Sequence, residues 1–186
     1  MKVLVIPEDP TLDRYILKPI VERLFADLGK TAHIQVLSNP RLRGIAQALD
    51  STIIARVVKK YPMVDLFLVM VDRDGDPKRP SHAATLEGTQ RHLFVCLAIE
   101  ELEVWMLAAH RDTLSTPWSE IRQEPHPKER FAHPFLAERA PKLDPGQGRA
   151  WAMRELGGKW KGVLSACEEL DGLKHRIHEW LQHSPV

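Results

Sequence analysis

The sequence predicts an α/β fold: a mainly parallel four-stranded sheet flanked by helices, with a helical C-terminal extension. Three observations lead there. Four short apolar runs rich in Val, Leu and Ile, at about 2–7, 32–37, 64–71 and 92–99, read as strands. They are continuous rather than alternating, as strands covered on both faces are. Segments with helical spacing separate them, and strand–helix alternation argues for parallel strands joined by crossovers.

The elements follow in order. KVLVIP (2–7) is the first strand. Residues 12–28 carry apolar side chains at Leu12, Ile16, Leu17, Ile20, Val21, Leu24 and Leu28, a helical stripe in which Pro19 predicts a kink or break and Gly29 a stop. AHIQVL (32–37) is the second strand, closed by the turn residues Ser38, Asn39 and Pro40. Ile45, Leu49, Ile53 and Val57 set a helix over 43–60, and the third strand fills 64–71. A helix is expected at about 81–91, then HLFVCLAIE (92–100) as the fourth strand, running into a helical pattern at 101–110. After about 112 the chain is rich in proline, with short helices and irregular loops expected to 148. One or two helices are expected over 149–182, interrupted at Gly157-Gly158. The division is an α/β unit at 1–112 with the remainder, 113–186, packed on it as one compact body.

Composition narrows the function. A formal net charge of +1 excludes a global polybasic binding mode, so an anionic partner needs a local patch. Cys96 and Cys167 are far apart in apolar contexts, which suits free thiols in a reducing compartment. MKVLVIPEDP turns acidic too soon for a signal peptide, and no apolar run approaches a membrane span. A soluble cytoplasmic protein is the expectation.

The chemistry concentrates at strand ends, where open parallel sheets place their ligand sites. Glu8 and Asp9 follow the first strand, Asp72, Asp74 and Asp76 the third, and Glu100, Glu101 and Glu103 the fourth. An Asp-Gly-rich stretch after a strand is by itself ordinary turn chemistry, and acids in a first helical turn are favoured by the helix dipole. The coincidence of acids at three strand ends is what points to a site. Residues i and i+2 of a strand share a side, so Asp72 and Asp74 are expected to converge, with Glu8 in reach if the first and third strands are neighbours. Clustered carboxylates repel unless a cation sits among them. Oxygen-only ligands favour Mg²⁺ or Mn²⁺, and two such ions about 4 Å apart are the usual arrangement for phosphodiester chemistry. An EF-hand is excluded: counting from Asp72, its required Gly and Glu fall on Pro77 and Ala83. A haloacid-dehalogenase-like D-x-D-G-T/V is opposed by Asp76 and by the two α/β units before it. No G-x-x-x-x-G-K-[ST] phosphate loop is present.

The motifs EDPTLDR (8–14), VDRDGD (71–76), EELEVWMLA (100–108) and EPHPKER (124–130) together resemble the Toprim domain. More narrowly, the chain looks like the small stand-alone Toprim-like proteins of bacteria related to the overcoming-lysogenization-defect nucleases. The likeness spans most of the chain. It departs at Asp9, where the family has Gly, and at Asp13, where the acid is displaced by one. The resemblance implies a Toprim-like Rossmannoid fold and a Mg²⁺- or Mn²⁺-dependent nuclease or phosphotransfer enzyme acting on DNA or RNA, in phage defence or DNA repair. It implies Glu8, Asp72 and Asp74 as catalytic metal ligands, Glu8 also as general acid/base, and Glu101 and Glu103 as further ligands; Asp76 joins the acidic candidates. Lys128 is a candidate phosphate contact, and Arg73, Lys78 and Arg79 beside the acids are candidates for the nucleic-acid backbone. The alternative is a non-catalytic subunit docking on a separately encoded ABC-type ATPase; self-association is compatible with either. Trp105, Trp151, Trp160 and Trp180 read as packing residues.

Overall fold

The computed structural model describes residues 1–183. Four strands, β1 (Lys2–Ile6), β2 (His33–Val36), β3 (Leu66–Asp72) and β4 (Leu93–Ala98), form one sheet in the order β2-β1-β3-β4. Every neighbouring pair is parallel. β3 is buried along its whole length, as its uninterrupted apolar sequence requires.

The chain first moves outward from β1 to β2 through α1 (Arg14–Asp27). It then returns past β1 to β3 through α2 (Ile45–Ala48) and α3 (Ser51–Lys60), and continues to β4 through α4 (Arg79–Glu87). Crossovers of one hand that reverse direction must change face, and the core divides accordingly. Val3, Val5, Leu66, Leu68 and Met70 pack with α1 and the C-terminal helices. Leu4, Ile6, Phe67, Val69 and Val71 pack with α2, α3 and α4. The reversal leaves a crevice between the carboxyl ends of β1 and β3, the topological switch point at which such sheets bind ligands.

After β4 come α5 (Glu103–Ala108), α6 (Trp118–Gln123), a π-helical turn (Lys128–Ala132), α7 (His133–Arg139), α8 (Arg149–Ala152), α9 (Leu156–Ala166) and α10 (Glu168–His183). Trp160, Val163, Leu170 and Leu173 share one core cluster with β1, α1 and α5, so the C-terminal helices complete the core on that face. α10 also covers the β4 edge. Arg176 Nη2 donates to the Val95 carbonyl at 2.9 Å, while Glu87 accepts the Val95 N–H at 2.9 Å. Two side chains thus occupy backbone groups that an open edge strand would expose.

Three local expectations are corrected. α1 runs through Pro19 without interruption. The helix expected over 43–60 is split, because Asp50 accepts the Ile53 N–H at 2.8 Å and starts α3 as an N-cap. Gly157 and Gly158 lie inside α9 and do not break it; the interruptions come at a 3₁₀ turn, Met153–Glu155, and at Cys167. No helix among the described residues is long and apolar enough to cross a membrane.

Candidate metal centre

β3 delivers Asp72 to the switch point as its last residue. Asp72 is buried, and its Oδ1 accepts the Leu102 N–H at 2.8 Å, which fixes the carboxylate on the segment joining β4 to α5. The chain then turns sharply. Asp74 and Gly75 both adopt left-handed backbone, φ 46° and 63°. Asp tolerates that region and Gly is at ease in it. This turn, not strand pleating, brings Asp74 back beside Asp72. Carboxylate oxygens of Asp72, Asp74 and Glu101 all lie within 4.8 Å of one another.

The three acids after β4 go to three places. Glu100, at φ 61°, accepts from Arg73 Nη2 and from the Gly75 N–H, bracing the β3 turn from beneath. Glu101 faces the cluster, and its Oε2 accepts the Lys128 N–H at 2.7 Å. Glu103 lies outside the trio and is bound by Arg149, whose Nη2 and Nε lie 2.5 and 3.2 Å from its Oε1. Arg149 is fully buried. A guanidinium in that position needs its carboxylate, because a buried charge without a partner is strongly disfavoured.

Electrostatics place the remaining acids. Asp72 is pushed up to about 9, first by burial and then by the charges of Glu8 and Glu103. Glu8 is raised by burial and by Asp74, with Arg79 and Lys128 acting against it. Glu8 therefore sits within electrostatic reach of Asp72 and Asp74, though outside the tight trio. Asp13 is pushed up to about 7, mostly by burial, with Glu103 and Glu8 adding to it. Its Oδ2 accepts the Asp9 N–H at 3.1 Å, so the displaced acid holds the loop that carries Glu8. Burial alone would lower Lys128, but Glu103, Glu101 and Asp72 outweigh it and raise it.

Several candidates have other work. Asp76 Oδ1 caps the turn by accepting the Lys78 N–H at 2.9 Å, and it is not one of the trio. Arg73 is engaged by Glu100. Arg79 is largely buried; its Nη1 donates to the Asp72 carbonyl at 2.9 Å and to Asp74 Oδ2 at 2.6 Å. Arg79 is therefore an internal counter-charge within the acidic loop. Of the three cations beside the acids, Lys78 alone is exposed. Arg149 was not anticipated: a single arginine after Gly-Gln-Gly carries no local signal, and its partner lies 46 residues away.

Fold and site together define an open α/β protein with a carboxylate cluster at its topological switch point. No protein-family model, no curated protein and no solved structure matches the chain.

Proposed function

We propose that the chain is a divalent-metal-dependent, Toprim-like phosphodiesterase acting on nucleic acid. The observation that carries the reading is the trio Asp72, Asp74 and Glu101, whose carboxylate oxygens approach within 4.8 Å at the end of the central strands. A donor set made only of carboxylate oxygens is the kind that Mg²⁺ and Mn²⁺ favour. A cation held there would offset negative charge on the phosphoryl oxygens and lower the pKa of water.

The chain's own groups divide the other tasks. Asp72 is locked by the Leu102 N–H and serves as the fixed ligand. Glu8, with its raised proton affinity, is the group to carry a proton at the rim. Lys128 presents an ammonium beside Glu101 and Glu103, where it can neutralise a phosphate oxygen. Arg79 holds Asp74 in place without a metal ion, through an ion pair of its own.

The test is cleavage of single- and double-stranded DNA and RNA by the purified chain in Mg²⁺, Mn²⁺ or EDTA, beside Asp72→Asn. Metal-dependent cleavage lost in the folded variant supports the reading. Equal cleavage by both proteins overturns it, as does absence of cleavage under every condition. Firm binding to an ABC-type ATPase without cleavage would transfer the assignment to a partner subunit.

A further inference from the structure

The loop between β2 and α2 carries two arginines that the acidic centre does not use. Arg41 is 65% exposed, yet it is not loose. Its Nη2 lies 3.3 Å from Asp9 Oδ1 and 3.0 Å from Thr11 Oγ1. Both acceptors belong to the β1–α1 loop that also bears Glu8. Asp9 Oδ1 in turn accepts the Thr11 N–H at 2.9 Å, so the anchor is itself ordered. Both bonds run through Nη2, and Nη1 and Nε of this exposed side chain have no hydrogen-bond partner among the described residues. Arg43, two residues on, is exposed and engages Gln47 only through its backbone N–H.

Position decides what that acceptor is. β2 and β3 are separated by β1, which puts their ends about 10 Å apart at one strand spacing each. Arg41 comes from the β2 side of that arrangement, and its guanidinium is held by Asp9 and Thr11 on the loop after β1, beside Glu8 rather than in the trio. A guanidinium fixed by one nitrogen and open at the other two suits a phosphate oxygen pair.

We infer that Arg41, with Arg43 beside it, forms a phosphate subsite for a neighbouring nucleotide, so that the substrate is an extended polynucleotide strand rather than a small phosphate ester. This rests on the acidic centre being a phosphodiester-cleaving site.

The experiment compares wild type, Arg41→Gln and the control Arg91→Gln in Mn²⁺. Arg91 is exposed in the turn before β4, at the opposite edge of the sheet. The substrates are a labelled oligonucleotide and bis(4-nitrophenyl) phosphate, a minimal phosphodiester. Arg41→Gln should lower kcat/KM on the oligonucleotide about five- to tenfold through KM and reduce the log–log salt slope by about 1. Its rate on the small ester should match wild type, as should both rates of Arg91→Gln. An unchanged oligonucleotide KM overturns the inference. So does an equal loss on both substrates, which would place Arg41 in the centre or in the fold. Wild type active only on the small ester removes the subsite and leaves the acidic centre standing. Wild type inactive on both substrates removes the proposed function and the subsite with it.

Discussion

Asp72 joins burial, the end of a central strand and a ring of carboxylate neighbours in one residue. Burial and the charges of Glu8, Glu103 and Asp13 all oppose its ionisation, and the single Leu102 N–H does not reverse them. Asp72→Asn keeps the Oδ1 acceptor for that N–H and takes away the carboxylate that would bind a cation. Folding should survive, while metal-dependent activity falls about a hundredfold or more, since each 1.4 kcal/mol of lost electrostatic stabilisation is about tenfold. Asp76→Asn should stay within about threefold of wild type, because Asp76 caps its turn and lies 3.8 Å from Arg79 Nε rather than in the trio. Parallel rate measurements on the two variants check both. The raised groups also fix the sign of a pH effect. Folded Asp72 holds its proton up to about 9 and Asp13 up to about 7, both against an ordinary 3.8. The folded state thus binds these protons more tightly than the unfolded chain. Their contribution is complete below about pH 4 and is lost as pH rises toward 9. In EDTA the melting temperature should fall between about pH 6 and pH 8.5, and Asp72→Asn should flatten that slope. A rising profile would contradict the assignment.

At the scale of elements, the segment from Glu100 to Glu103 shows how three acids in four residues acquire three roles. Only Glu101 is left for the cluster, because Arg73 with Gly75 takes Glu100 and Arg149 takes Glu103. Arg149→Met should cost about 3–5 kcal/mol by leaving buried Glu103 without its hydrogen-bonded partner, with only Lys128 at 4.0 Å beside it. Adding Glu103→Leu should recover part of that loss; chemical denaturation of the single and double variants measures it. In α9, Leu156, Trp160, Val163 and Leu164 form the buried stripe, and this packing carries the helix across two glycines. Open space surrounds the Cβ position of both. Gly157→Ala and Gly158→Ala should each stabilise by about 0.5–1 kcal/mol, readable as a higher denaturation midpoint. This is also where reading from sequence was weakest. The strands were legible because a doubly covered strand must be continuously apolar. Helix ends were less so: glycine and proline mark breaks only where tertiary packing does not override them, as in α9 and at Pro19. Asp50 was a cap signal within reach, an acid directly before Ser-Thr and an apolar run.

For the whole molecule, the reversal of chain direction after β2 makes the site. It sets the β1 and β3 loops beside one another, and acids at strand ends were enough to foresee Glu8, Asp72, Asp74 and Glu101 in one region. The roles of Glu103, Asp76, Arg73 and Arg79 were not foreseeable, since each depends on a partner or a turn that only the assembled fold supplies. The region after residue 112 brings Lys128 and Arg149 to the acidic centre, so that face is built from both ends of the chain. The central claim is that Asp72, Asp74 and Glu101 hold a divalent cation. Its most direct test is a crystal of the protein soaked in Mn²⁺ and measured for anomalous scattering. The account predicts a peak among these three carboxylates, with oxygen–metal distances of about 2.1–2.2 Å. A well-ordered site with no peak at millimolar Mn²⁺ would contradict it.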